Sequence, residues 1–118
     1  MNGAELEEGL KELVETDGVN ASAVVTRSGV MVEFRNKHSQ EMTSSLSAVA
    51  AMMIRTAEKC AKILKKGNME ELVAKAEEGI LLAEKYEEFI LLVAVDKGVD
   101  FDLLKPKMDR IKKAIRSM

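Results

Sequence analysis

Few side chains in this sequence have the type and spacing that chemistry needs. His38 and Cys60 each occur once. Pairing them as nucleophile and base would require an exposed thiolate in an electropositive site with the imidazole beside it. A helix through this region turns Cys60 inward, so the spacing favours Cys60 as a small core hydrophobe and His38 as a loop residue ahead of a helix cap. Metal ligation would need clustered Cys, His or carboxylates, whereas these two are single copies separated by a long helix. Glu77-Glu78 and Glu87-Glu88 fall at strand ends and turns, while Glu5, Glu7, Glu8, Glu12 and Glu15 share one helical surface. Nothing places two of these carboxyls in environments different enough to separate their pKa values for acid–base work. The phosphate-binding patterns G-x-x-x-x-G-K-S/T and G-x-G-x-x-G are missing, and the seven glycines are scattered as punctuation. The expectation is a protein that is not an enzyme and uses no metal or cofactor.

Charge narrows the remaining classes. The chain has 118 residues, of which 47% are hydrophobic and 32% charged, enough for one core under a charged surface and for a single domain over residues 1–118. A net charge of −2 and a pI near 5.5 oppose a dedicated nucleic-acid binder. Locally the balance is uneven. Lys105, Lys107, Arg110, Lys112, Lys113 and Arg116 stand against Asp109 near the C-terminus, and Glu5, Glu7, Glu8, Glu12, Glu15 and Asp17 against Lys11 near the N-terminus. Either the terminal helices lie side by side and neutralise each other, or the basic helix meets nucleic acid or lipid. The lack of interleaved aromatics favours the first, each exposed pair contributing about 0.2–1 kcal/mol. A lone cysteine and an N-terminus without a cationic start or apolar run fit a cytoplasmic setting. The longest uncharged stretch, residues 42–54, is too short to span a bilayer, which takes roughly 20 residues.

The elements follow from periodicity. Leu6, Leu10, Leu13 and Val14 give residues 3–16 a helical stripe, with Asn2 and Glu5 as a capping pair and Gly18 just past the end. Residues 19–34 alternate with period two as a hairpin: Val19, Ala21, Ala23 and Val25 on one face, Ser22, Val24 and Thr26 on the other, and Gly29 in the turn. Ser39 caps a long helix with Glu41 in its first turn and Lys62, Lys65 and Lys66 at its end, its inward stripe read as Met42, Leu46, Val49, Met53, Ala57, Cys60 and Leu64. Residues 69–78 read locally as helix from Met69, Leu72, Val73 and Ala76. Residues 79–85 and 89–95 are strands, the second apolar on both faces, joined at Tyr86-Glu87-Glu88. A last amphipathic helix carries Met108, Ile111 and Ile115 and is expected to begin at Pro106.

In the uncharged stretch, Met-Thr-Ser-Ser-Leu-Ser-Ala-Val-Ala-Ala-Met-Met-Ile, every face of nearly four helical turns is neutral. A water-exposed helix seldom forgoes charge all round. Either the chain's own loops cover the excess, or the helix meets its twin in a symmetric homodimer, with Ser44, Ser47 and Ala51 permitting close approach.

The order of elements resembles that of the roadblock/dynein light chain superfamily, in particular its free-standing prokaryotic members. The likeness is carried by the segment Val-Asn-Ala-Ser-Ala-Val-Val-Thr-Arg-Ser-Gly at residues 19–29, the Ser/Ala-rich helix after it, and the Gly79-Ile80 strand leading to residues 89–95. The resemblance implies an α+β fold: a five-stranded antiparallel sheet with two terminal helices on one face and a long central helix on the other, a profilin-like sandwich. It makes residues 72–76 an edge strand, against their local propensity. It also implies a homodimer formed through Ser44, Ser45, Ala48, Ala51 and Met52 of the helix and Leu72, Ala74 and Ala76 of that strand. The function implied is a non-enzymatic regulator or scaffold for a Ras-like small GTPase, contacted around Arg55, Glu58 and Lys62. A small-molecule sensor with a pocket between sheet and helix is the alternative. Neither membrane nor nucleic acid is expected as a partner.

Overall fold

The computed structural model describes residues 3–37 and 45–117. Asn2, the expected cap Ser39, Glu41, Met42 and His38 lie outside them. The elements run α1 (Gly3–Glu15), β1 (Val19–Thr26), β2 (Met31–Asn36), α2 (Ser45–Ile63), β3 (Glu71–Ala76), β4 (Gly79–Tyr86), β5 (Phe89–Val95) and α3 (Phe101–Arg116). The strands form one antiparallel sheet in the order β2-β1-β5-β4-β3, so the two hairpins meet at the β1–β5 seam.

Two cores lie on opposite faces of this sheet. On one, α1 and α3 pack together and bury Leu6, Leu10, Leu13, Leu104, Ile111 and Ile115 against Val24, Leu91 and Val93. On the other, Ala50 and Ile54 of α2 meet Val25, Ala83 and Ile90, with Leu72 and Leu92 half-buried beside them. The both-face burial expected of residues 89–95 holds: Leu91, Val93 and Val95 serve the first core, Ile90 the second. β1 departs from simple alternation. A register shift between Val19 and Ala21 turns Val19 to the α1–α3 side along with Val24, not to the side of Val25 where strict period two puts it. Ser22 reaches the same side and donates from its hydroxyl to the Leu10 carbonyl at 3.3 Å.

Two helix boundaries and one strand turn show local chemistry at work. α2 ends with Lys65 in the left-handed region (φ 58), Lys66 N–H bonding the Ala61 carbonyl at 2.8 Å and Lys65 N–H that of Lys62 at 3.0 Å, the paired bonds of a Schellman ending. α3 starts five residues before Pro106, not at it. Asp100 caps the helix by accepting from the Asp102 N–H at 3.0 Å, and burial of Leu104 anchors the first turn. Pro106 then sits inside the helix and withholds the N–H that the Asp102 carbonyl would otherwise accept. Gly29 closes the β1–β2 turn at φ +100, and a Cβ there would lie 3.3 Å from the Ala48 Cα, so the turn rests directly on α2.

β3 is a strand, as the resemblance implies and local propensity denies. It pairs with β4 from Glu71↔Glu84 to Ala76↔Gly79, and this ladder outweighs the helical leaning of its Glu, Lys and Ala. The terminal helices lie side by side with opposite charges facing, as the charge pattern suggests: Arg110 pairs with Glu12 and also feels Glu8 and Glu5, while Lys107 donates to the Thr16 hydroxyl and Arg116 turns instead to the Tyr86 ring of β4 at 5.4 Å.

One ionic cluster ties α2 to the sheet. Glu58 is 8% exposed and accepts from Arg27, in the β1–β2 turn, and from Lys85, near the end of β4, each at 2.7 Å. Burial alone would push its carboxyl up, but the hydrogen bonds and charges of Lys85 and Arg27 outweigh it and hold the group below the usual 4.5. Folded Glu58 therefore binds its proton more weakly than the unfolded chain does. Its contribution is complete above the ordinary carboxylate range and is lost as pH falls through the folded value. Glu58→Ala should cost about 2 kcal/mol near neutral pH by leaving two cations without their anion. Urea unfolding of Glu58→Gln should show a shallower loss of stability on acidification than the parent, and identical pH slopes would refute this account.

Candidate functional site

The surface of interest is the outward side of α2. The inward side is a row of small residues, Ser47, Ala50 and Ala51, continued by Ile54 and Glu58. Small side chains let a helix settle close to a sheet, and the paired cations Arg27 and Lys85 draw Glu58 inward. The stripe read as inward from sequence is thus displaced by one residue, about 100° around the helix. Leu46, Met53 and Ala57 lie half-buried at its border, while Val49 is 54% exposed and Cys60 and Leu64 face solvent. Cys60 is not the core hydrophobe expected.

The expected interface residues separate accordingly. Ala48 and Met52, four apart, are exposed on one side, Met52 at 56%. Ala51 is 1% exposed and is consumed by its own protomer's core. Ser45 opens α2, and Ser44 lies outside the described residues. Leu72 and Ala74 of β3 are half-buried on the side facing α2, and Ala76 is exposed at the strand's end. Leu72, Val49, Met52, Met53, Thr56 and Cys60 line one apolar trough of about 440 Å³ between α2 and β3. Sequence reasoning missed Val49, Met53 and Cys60 here because it assigned their stripe to the core, and it did not single out Thr56 for the interface. The apolar spacing was the right signal on the wrong side of the helix.

Of the expected partner surface, Arg55 and Lys62 are exposed, whereas Glu58 is buried in its cluster with Arg27 and Lys85 and presents no free carboxylate. Among the described residues no three of His, Cys, Asp and Glu gather as a metal would require, and no helix is long and apolar enough to cross a membrane. A second, smaller cavity of about 200 Å³ lies between α2 and the sheet, lined by Ala23, Phe34, Leu46, Met53, Leu92 and Ala94 among others. No charged group faces it among the described residues.

Comparison with known proteins places this geometry. The Roadblock/LC7 domain model matches residues 5–96, from α1 through β5. The uncharacterized protein MJ1340 of Methanocaldococcus jannaschii is 28% identical over 109 residues, which span 92% of this chain and 95% of that protein. The solved structure of the gliding protein MglB from Thermus thermophilus superposes with a TM-score of 0.80 at 18% identity, covering 97% of this chain and 87% of that one. A structure described as MglB with tetrameric arrangement gives 0.81 at 18% identity with the same coverage. The family model spans α1 through β5 and the structural match carries the same fold on through α3, so the chain belongs to the Roadblock/LC7 domain family.

Proposed function

We propose that this protein is a non-enzymatic homodimeric platform for a Ras-like small GTPase, pairing through α2 and β3. The observation that carries this reading is the outward apolar stripe of α2. Val49, Met52 and Ile63 are more than half exposed, and they run beside an edge strand whose outer backbone has no partner strand among the described residues. A stripe of this kind marks an interaction surface, and two-fold pairing lets one patch serve both copies. The likeness to MglB, one of whose structures is described as tetrameric, supports self-association through this fold.

GTPase binding rests on the family resemblance together with Arg55 and Lys62, which stand exposed on the same side of α2, two turns apart. A platform of this kind acts by positioning its partner's switch segments, and needs no catalytic group of its own. The sensor alternative would use the 200 Å³ cavity under α2. Its lining lacks the convergent polar groups that orient a small ligand, so partner binding is the better-supported reading.

Sedimentation at micromolar concentration should give twice the 13.0 kDa protomer mass, and Met52→Glu or Ala48→Glu should return it to one protomer without unfolding it. Ala51→Glu should behave differently, losing several kcal/mol of protomer stability because its charge enters the core. A parent that sediments as one protomer removes the basis of the proposal. Against the Ras-like GTPases of the source organism, each loaded with GDP or a GTP analogue, Arg55→Ala combined with Lys62→Ala should weaken binding about tenfold while leaving the dimer intact. Calorimetry showing no binding by the parent in either nucleotide state would sink the GTPase assignment and spare the dimer.

A further inference from the structure

The sheet's other face is incompletely covered. Five strands spaced about 4.8 Å apart present a surface wider than two helices of about 10 Å diameter can roof. α1 lies against β1 and β2, α3 packs beside it on Leu82, Leu91 and Val93 of β4 and β5, and β3 is left beyond them among the described residues. β3 therefore has two unlike faces. Leu72 turns toward α2, while Glu71, Val73 and Lys75 turn to a side where no helix stands over them among the described residues. The result is a groove of about 530 Å³ with one wall, its floor and wall formed by Val73, Ile80, Leu82, Phe101, Leu104 and Met108. Val73 is 45% and Phe101 42% exposed.

The rim of this groove is polarised. Lys75, Lys97 and Lys105 gather at the end where β4 begins and α3 starts, and none of them forms an ion pair among the described residues. At the other end Glu71 faces Glu84 across the β3–β4 ladder, and Glu84 is already engaged by Lys112. Glu77, Glu78, Asp96 and Asp100 are close to these lysines in sequence, but the charged residues lining the groove at this end are the three lysines. β3 is about 20 Å long at six residues, which matches an α-helix of about 13 residues.

We propose that this groove docks an amphipathic helix of a partner protein, with its apolar stripe on Val73, Leu82 and Phe101 and its acidic end against Lys75, Lys97 and Lys105. The helix would lie beside α3 as a third roof element, at the 8–10 Å separation of packed helices. This surface is on the opposite side of the sheet from α2 and does not depend on the dimer.

The test uses the full chain and two fluorescein-labelled synthetic peptides of about 14 residues, each with leucines at i, i+3, i+4 and i+7. One carries glutamates in its first two turns; in the other every glutamate is replaced by lysine. The acidic peptide should bind saturably, with amide shifts in β3, β4 and the adjoining flank of α3, and equally well to Met52→Glu. The double variant Lys97→Glu/Lys105→Glu should lose about tenfold in affinity for it and gain affinity for the basic peptide, a reversal that misfolding cannot produce. Absence of saturable binding, indifference to the peptide's charge, or shifts confined to α2 would overturn the proposal. So would conversion of a dimer to protomers by the lysine variant, which would assign the groove to a second copy. Lysine-dependent sedimentation with phosphatidylglycerol vesicles in place of peptide binding would assign it to a membrane surface and equally overturn it.

Discussion

Three helices have to cover two faces of a five-stranded sheet, and they are too few. A two-sided sheet requires apolar residues at every position of its central strands, which is why residues 89–95 carry no charge. Two helices serve one face and one the other, so each face keeps an uncovered margin. On the α1–α3 side the margin is the outer surface of β3. On the α2 side it extends to Leu81, 45% exposed beside the alanines Ala94 and Ala74. The exposed apolar surface of this small protein is a consequence of that mismatch between strands and helices, not a scatter of individual residues.

The same shortage makes the attachment of α2 depend on few contacts. Ala50, Ala51 and Ile54 are its fully buried apolar residues, and alanine offers little area to bury. Glu58 supplies what packing does not. By engaging the β1–β2 turn through Arg27 and the end of β4 through Lys85, it joins the helix to both hairpins at the end where the Arg27 N–H also bonds the Glu88 carbonyl. Near the other end, the contact of Gly29 with Ala48 sets the helix height. The apolar residues released from holding α2 down are those left facing outward.

Much of the fold was legible because periodicity reports burial directly in α1, β4, β5 and the body of α3. It failed where a second effect competed. In α2 the apolar stripe and the inward stripe differ by one residue, since periodicity detects surface that avoids water without saying whether the cover is the same chain or another. Cys60 was misplaced for that reason, and Glu58 because its partners Arg27 and Lys85 lie far away in sequence. Residues 71–76 have helical composition, and only the ladder to β4 decides otherwise. The bulge that turns Val19 over leaves no compositional trace. The start of α3 was readable in principle, because Asp100 is a good cap, but Pro106 is the louder signal. The outward positions of Met52, Arg55 and Lys62 agree with the sequence reading, whereas Ala51 and Glu58 prove to be internal.

β3 belongs to the sheet through one neighbour and contributes few buried side chains. Its opening therefore need not wait for the whole domain to unfold, and its amides should exchange with solvent through a local, low-energy fluctuation while those of β1 and β5 stay protected. A partner strand on its free edge or a helix over Val73 would slow that exchange without touching the core. The last strand of the sheet is thus the part of the molecule whose order is set from outside: how firmly it is folded becomes a readout of what the protein is bound to.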